Sequence, residues 1–287
     1  MQVFDNPAAM QAYSAAQRVA GRRIGLVPTM GALHPGHLAL VAAARRTTDV
    51  VVVSIFVNPM QFNRRDDFDA YPRPIDDDLA LCRSHGVDAV YAPTAAAMYP
   101  GGFETSVEPG SLAEPLEGAG RPGHFRGVAT VVTKLFNAVR PDVAVFGRKD
   151  FQQLAIIRRM TIDLDMGITI VGLDTIREPD GLAMSSRNRR LSIQDRVAAV
   201  CVPQALSAAA DLLAGGERRA TVLLAAARAV VESEPRARVE YIECIDPDTL
   251  QPVEMVSGDV AAVVVAAVWF GDVRLIDNRL LQTVEHA

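Results

Sequence analysis

Through the first 175 residues, short unbroken apolar runs alternate with stretches in which apolar residues recur every three or four positions. Strands are expected at Ile24–Pro28, Val87–Ala92 and Ile168–Leu173, and Val50–Val57 and Val143–Phe146 are continuous apolar runs too short for helices. That is the pattern of strands buried on both faces. Helix signals fall between them. Asn6 or Asp5 can cap a helix from Pro7 to Val19, with Gly21 ending it. Further helices are expected over about 36–47, over 75–84 and over 125–139. In the last of these Val128, Val131 and Val132 share one face, which reads as core packing. Strand, helix, strand at this spacing is a βαβ unit, so the first 175 residues predict a Rossmann-like α/β domain, a parallel sheet with helices on both faces. Beyond 175 the pattern changes. Two Ala-rich helices (192–214 and 219–233) flank Gly215-Gly216, and strands over 239–245, 261–270 and 273–276 follow. Residues 176–287 therefore read as a smaller C-terminal α+β domain.

Composition adds exclusions. The chain has 287 residues, 49% hydrophobic and 22% charged, which is globular usage. No apolar run reaches the ~18–20 residues of a membrane span; the longest, Val260–Phe270, suits a buried strand. The start, MQVFDNPAAM, lacks a basic segment followed by an apolar one, so no signal peptide is expected. Cys82, Cys201 and Cys244 are far apart and form no Cys-x-x-Cys motif, which points to a reducing, cytoplasmic setting. A net charge of −5 argues against a general nucleic-acid binder. Neither nucleic acid nor membrane is an expected partner. Basic residues are almost all Arg; the only lysines are Lys134 and Lys149. Where Arg is so favoured, a compact ammonium invites a functional reading, above all for Lys149 in its turn.

The chemistry gathers at the ends of the expected strands. After Ile24–Pro28 come Met30-Gly31-Ala32-Leu33-His34-Pro35-Gly36-His37 and then helix-forming residues. Glycines permit close backbone approach, a helix N-terminus favours an anion, and His34 and His37, three apart, share one face. This is the end of the sheet at which open α/β folds bind ligands. A lone His-x-x-His is also compatible with a surface accident or half a zinc site, but zinc takes three or four ligands and no Cys, Asp or Glu stands nearby. Asn58 and Gln61 follow the second strand and offer uncharged donors and acceptors, or simply a turn. Asp76-Asp77-Asp78 opens a helix and reads as dipole complementation rather than a cation site. Gly147-Arg148-Lys149-Asp150 repeats the strand–turn–helix plan, with Lys149 suited to phosphate oxygens and Asp150 to a cap or ribose hydroxyls. Met184-Ser185-Ser186-Arg187 supplies further anion contacts, and Ser192 reads as a helix cap.

The stretch His34-Pro35-Gly36-His37 resembles the His-x-Gly-His signature of nucleotidyltransferases. With five other stretches it resembles one family closely, pantothenate synthetase, or pantoate–β-alanine ligase. The matching stretches are Pro-Thr-Met-Gly-Ala-Leu-His-x-Gly-His at 28–37, Phe-Val-Asn-Pro-x-Gln-Phe at 56–62 and Arg-Pro-Gly-His-Phe at 121–125. Phe-Gly-x-Lys-Asp-x-Gln-Gln at 146–153, Met-Ser-Ser-Arg-Asn at 184–188 and the Tyr241-Ile242 region continue the series in order. The resemblance implies ATP-dependent activation of pantoate as pantoyl adenylate, then attack by β-alanine, with Mg²⁺ accompanying ATP and a homodimer as the family's habit. It implies His34 and His37 on the phosphates, His37 as proton donor, and Lys149, Ser185, Ser186 and Arg187 as further phosphate contacts. Met30–His37, Gly147–Asp150, Ile176 and Met184 fall in its ATP shell, the last two near adenine. Gln61 and Gln153 fall on its pantoate contacts, and Asn58, Tyr71 and Arg121 on contacts to the second substrate. Arg148 departs from the acidic residue often found before the Lys. A reactive mixed anhydride calls for a closing segment, for which 62–78 and 116–124 are candidates. The rivals are another nucleotidyltransferase of that superfamily, a non-catalytic ATP-binding module, and a zinc hydrolase built on His34 and His37.

Overall fold

A computed structural model describes residues 1–257 and 261–281. The chain divides into two compact units, Met1–Arg148 with Gln152–Asp174, and Lys149–Phe151 with Thr175–Ala287.

The first unit holds six parallel strands: β1 (Gln2–Phe4), β2 (Ile24–Thr29), β3 (Val50–Ile55), β4 (Ala89–Tyr91), β5 (Val143–Gly147) and β6 (Thr169–Leu173), in the order β1-β4-β3-β2-β5-β6. Its helices are α1 (Pro7–Val19), α2 (Pro35–Arg45), α3 (Arg65–Asp69), α4 (Ile75–Ser84), α5 (Ala95–Met98), α6 (Glu117–Gly120), α7 (His124–Val139) and α8 (Phe151–Asp163), whose first residue belongs to the second unit. Successive side chains of β2 and β3 alternate between two cores. Ile24, Leu26, Val50 and Val52 pack with residues of α1, α7 and α8, while Val27, Val51 and Val53 pack with α2 and α4. Both sheet faces are thus covered, which is why the strands read as continuous apolar runs. Val128, Val131 and Val132 lie in the first core. The strand order reverses direction at β2, flanked by β3 on one side and β5 on the other. The crevice beyond the carboxyl ends at such a switch point is where ligands bind in this architecture.

The second unit contains α9 (Ile193–Ala198), α10 (Cys201–Ala214), α11 (Ala220–Glu232) and an antiparallel sheet of β7 (Ala237–Ile245), β8 (Ala262–Phe270) and β9 (Val273–Leu281). Its core joins Leu206, Leu223, Ala227, Ile242, Val264, Ala266 and Phe270.

The fold departs from the sequence expectations in several places, among them the last strand, expected over 273–276 and found over Val273–Leu281. The edge strand β1 is absent from the sequence reading, since three residues carry too little pattern. The helix expected over 192–214 is two helices, interrupted at Ala199–Val200. Together Ile193–Ala214 are long and apolar enough to cross a membrane by length and composition, which a search for uninterrupted apolar runs misses. Their buried residues, among them Ala205, Leu206 and Ala209, pack in the second unit's core, where an apolar helix face is accounted for. Val260, the expected start of the longest apolar run, lies outside the described residues.

Candidate active site

In the first unit, β2 ends at Thr29 and the backbone turns sharply, with Gly31 at φ +83° and Ala32 at φ +51°. The N–H groups of Ala32 and Leu33 converge in this turn. The carboxyl of Asp78, buried in the first turn of α4, fills that concavity, accepting from Ala32 N–H at 2.8 Å and Leu33 N–H at 2.7 Å. Gly31 N–H goes to Thr29 Oγ1 at 3.1 Å. His34 is the N-cap residue of α2, and its own N–H donates to His37 Nδ1 at 3.3 Å, with the rings 4.0 Å apart. The amides of Gly31 to His34 are thus engaged, by Thr29, by Asp78 of α4 and by His37, and the two imidazoles stand beside them at the start of α2. A neutral His37 accepting at Nδ1 carries its proton on Nε2, a donor.

After β3, Asn58 caps a 3₁₀ turn, Pro59–Gln61, and is buried together with Gln61. Asn58 Nδ2 donates to Gln61 Oε1 and to Gly127 O, both at 3.0 Å. Gln61 Nε2 meets Met30 Sδ at 3.2 Å, which brings the β2 and β3 turns together. Gln61 O accepts from Arg121 Nη2 at 3.1 Å and from His124 Nδ1 at 2.8 Å. Arg121 Nη1 stands 3.1 Å from His124 Nε2; as Arg can only donate, that nitrogen accepts and His124 is neutral with its proton on Nδ1. Arg121 thus supports the Gln61 backbone, with Glu117 3.8 Å away. Helix α7 lies hard against the turn: a Cβ on Gly127 would sit 2.3 Å from Met60 O.

The segment before α7 is fastened from α8. Gln152 accepts from Glu117 N–H at 3.0 Å and donates to Leu112 O at 2.9 Å and Pro115 O at 2.8 Å. Gln153, its neighbour, is half-buried. Tyr71 is buried, its ring 5.8 Å from Phe62. Gly147 closes β5, and Arg148 turns its guanidinium to Asp174 at 2.5 Å.

The second unit holds the other predicted phosphate contacts. Lys149 Nζ lies 3.8 Å from Asp150, and Lys149 O accepts from Asn278 Nδ2 at 2.9 Å. Asn278 follows Asp277, a buried carboxylate that takes Arg177 at 2.7 and 3.0 Å. Arg177 also donates to Gly181 O at 2.9 Å. Ile176 O accepts from Met184 N–H at 2.9 Å. Ser185 Oγ accepts from Arg187 N–H at 3.2 Å and opens the 3₁₀ turn Ser186–Arg190. Asn188, at the middle of the turn, bonds Glu178 at 2.7 Å and Ala183 O at 3.0 Å. Ser192 caps α9, accepting from Asp195 N–H at 3.1 Å, as its sequence predicts.

Sequence reasoning misses Asp78, Tyr99, His124, Gln152, Arg177, Asp277 and Asn278. Asp78 shows as an acidic helix start, which reads as dipole complementation, and His124 and Gln152 lie within matching stretches with no role assigned to them. Among the described residues no three His, Cys, Asp or Glu side chains are grouped so as to hold a metal ion, so the zinc reading of His34 and His37 finds no third ligand.

A doubly covered parallel sheet, with paired histidines at the turn beyond its switch strand, sets the chain in the doubly wound α/β class. The family model described as pantoate-beta-alanine ligase matches residues 2–280. A relative from Bradyrhizobium diazoefficiens, pantothenate synthetase 1, is 53% identical over 98% of each chain. The crystal structure of pantothenate synthetase from Thermus thermophilus superposes with a TM-score of 0.90 at 42% identity, covering 97% of this chain and 99% of that one. The pantoate-beta-alanine ligase of Francisella tularensis, complexed with "beta-gamma ATP" and β-alanine, gives 0.79 at 33% identity over 98% and 97%. This chain belongs to the pantoate–β-alanine ligase family.

Proposed function

We propose that the protein condenses (R)-pantoate with β-alanine at the expense of ATP, yielding pantothenate, AMP and pyrophosphate. The observation that carries this is the family match from residue 2 to 280, which takes in all the stretches assigned to chemistry. A pantoate carboxylate oxygen attacks the α-phosphorus and pyrophosphate leaves. The amine of β-alanine then attacks the acyl carbon of pantoyl adenylate, losing a proton as AMP departs.

Charge builds on the α-phosphate and on the departing pyrophosphate, where preorganised donors lower the barrier. In the first unit we assign that work to His34 and His37, with His37 Nε2–H donating. The bond from His34 N–H into His37 Nδ1 supports this, because it turns the protonated nitrogen away from the backbone. Met30 to His37 and Gly147 to Asp150 are assigned to the ATP shell. In the second unit Lys149, Ser185, Ser186 and Arg187 are assigned to phosphate, and Ile176 and Met184 to adenine. Gln61 and Gln153 are assigned to pantoate, and Asn58, Tyr71 and Arg121 to the second substrate. The assigned domains are 1–175 for nucleotide and pantoate and 176–287 for the Met-Ser-Ser-Arg segment.

Mg²⁺ fits as an ion carried on the nucleotide. Such ions keep several waters and take substrate phosphates as ligands, and so need no protein cage. It would neutralise the leaving pyrophosphate. We also assign a cytoplasmic homodimer, checked by light scattering of the purified protein.

The deciding experiment follows pyrophosphate release from ATP and Mg²⁺. Stoichiometric release with pantoate alone, becoming continuous on addition of β-alanine, is the expected result. ATP-binding protein that shows no pantoate-dependent release would overturn the reading.

A further inference from the structure

Tyr99 lies outside every stretch assigned to the reaction, yet its hydroxyl ends a hydrogen-bond chain that reaches Gln61. Tyr99 Oη donates to Asn58 Oδ1 at 2.8 Å. The orientation of the Asn58 amide is set by two main-chain groups with no choice of role. Met60 N–H can only donate, and it meets Oδ1 at 3.3 Å. Gly127 C=O can only accept, and it meets Nδ2 at 3.0 Å. Flipping the amide would set donor against donor and oxygen against oxygen. The Tyr99 hydroxyl must therefore be the donor. The remaining Nδ2 proton of Asn58 must go to Gln61 Oε1, 3.0 Å away. Gln61 then has its oxygen committed, and its Nε2 faces Met30 Sδ at 3.2 Å. A thioether is a weak acceptor, one that a ligand oxygen displaces with gain.

We infer that Tyr99 is a positioning residue for the acid substrate: through Asn58 it fixes the Gln61 carboxamide with its N–H₂ end toward the ligand, so that the site reads an oxygen acceptor. This rests on the reading of Gln61 as a pantoate contact. The surroundings suit a fixed reference point. The Tyr99 ring packs against Phe103 at 5.0 Å and Phe56 at 6.1 Å. The Lys134 ammonium stands 5.9 Å from the Tyr99 ring and 4.9 Å from that of Phe103. Burial raises the phenol's pKa above its ordinary value, so the group remains a donor at neutral pH. The Gln61 backbone is pinned independently by Arg121 and His124, leaving the carboxamide torsion as the freedom that the chain removes.

The test is a double-mutant cycle on Tyr99→Phe and Gln61→Ala, with KM for pantoate, ATP and β-alanine measured on each protein. Tyr99→Phe deletes one oxygen and keeps the ring, so the packing that holds the fold is retained. The expected result is a roughly three- to tenfold rise in KM for pantoate, the scale of one lost hydrogen bond, with KM for ATP unchanged. In the Gln61→Ala background the same substitution should have no further effect. A merely structural role would lower kcat and the melting temperature without separating the substrates. An unchanged pantoate KM in Tyr99→Phe, or an equal rise with and without Gln61, overturns the inference while leaving the reaction intact. If Gln61→Ala leaves the pantoate KM unchanged, the assignment of Gln61 fails and the inference fails with it.

Discussion

Asp78 exemplifies a residue whose work is done through a backbone rather than on a ligand. Its carboxyl occupies a buried concavity made by the amides of Ala32 and Leu33, one oxygen to each. Asp78→Ala should strand two buried donors at about 1–3 kcal/mol each, a loss of roughly 2–6 kcal/mol in urea unfolding. Its KM for ATP should rise, since the turn that delivers His34 and His37 loses its template. An unaltered urea midpoint would show that the amides find other partners. His37 is tested differently: His37→Ala should lower turnover by about 10²–10⁴-fold with stability nearly unchanged, as for a lost transition-state donor. Near-normal turnover would remove His37 from the proposed mechanism. Buried Cys82 shows the same neighbourhood from another side, its thiol pushed up to about 11 first by burial and then by the Asp78 carboxylate. It is an inert core residue.

At the scale of elements, the Gln152 side chain of α8 holds the 112–117 segment by three hydrogen bonds. Gln152→Ala should expose the Glu117 amide to hydrogen exchange at least tenfold faster, because loss of about 1.4 kcal/mol is a factor of ten in opening. Unchanged exchange there would mean that Leu116, at φ +54°, and the packing of Gly118 on Ala113 suffice. Elements are also where the sequence is most readable. Ile75–Ser84 and Pro7–Val19 are found at the expected residues, because caps, Pro at the helix start and apolar spacing are local signals. Strand β1 and the break between α9 and α10 are not legible, the first because it is held by pairing with β4, 87 residues away in register, the second because Ala199–Val200 is helix-compatible in composition. The site divides in the same way. Gln61 taken alone reads as an ordinary turn, whereas His34, His37 and Lys149 declare themselves by residue type after a strand and Ser185 by its Met-Ser-Ser-Arg run. Their supports do not, since Asp78 to Leu33 and Asn278 to Lys149 span 45 and 129 residues, distances that only the topology closes.

For the whole molecule, acid should act unevenly. In the second unit Arg219 and nearby amides hold Glu217 down to about 2. Ser192 and Arg236 lower Asp195, and the amide of Thr249 lowers Asp246. Burial works against ionisation of Asp180, but the Leu182 amide and Arg196 outweigh it and the net shift is downward. A carboxyl depressed in the folded state stabilises it above the unfolded value near 4 and loses that contribution as pH falls through the folded value. In the first unit a resolved lowering of this kind occurs at exposed Asp66, beside Arg64. The single tryptophan, Trp269 on β8, reports on the second unit, where its indole N–H donates to Glu240 at 2.5 Å. The urea midpoint read by tryptophan fluorescence should therefore fall steadily between about pH 4.5 and pH 2. A flat profile would show that these surface pairs contribute nothing measurable, as many do not.

The dependence of the His34–His37 turn on Asp78 bears on how portable such a motif is. A strand, its glycine turn and the following helix look like a cassette that could be moved to another sheet. Here the shape of the turn is held in trust by a helix that begins about forty residues later in the chain. Transplanting 24–45 alone would carry the histidines but not their placement. A graft would have to bring the start of α4 as well, at the same height beside the strand.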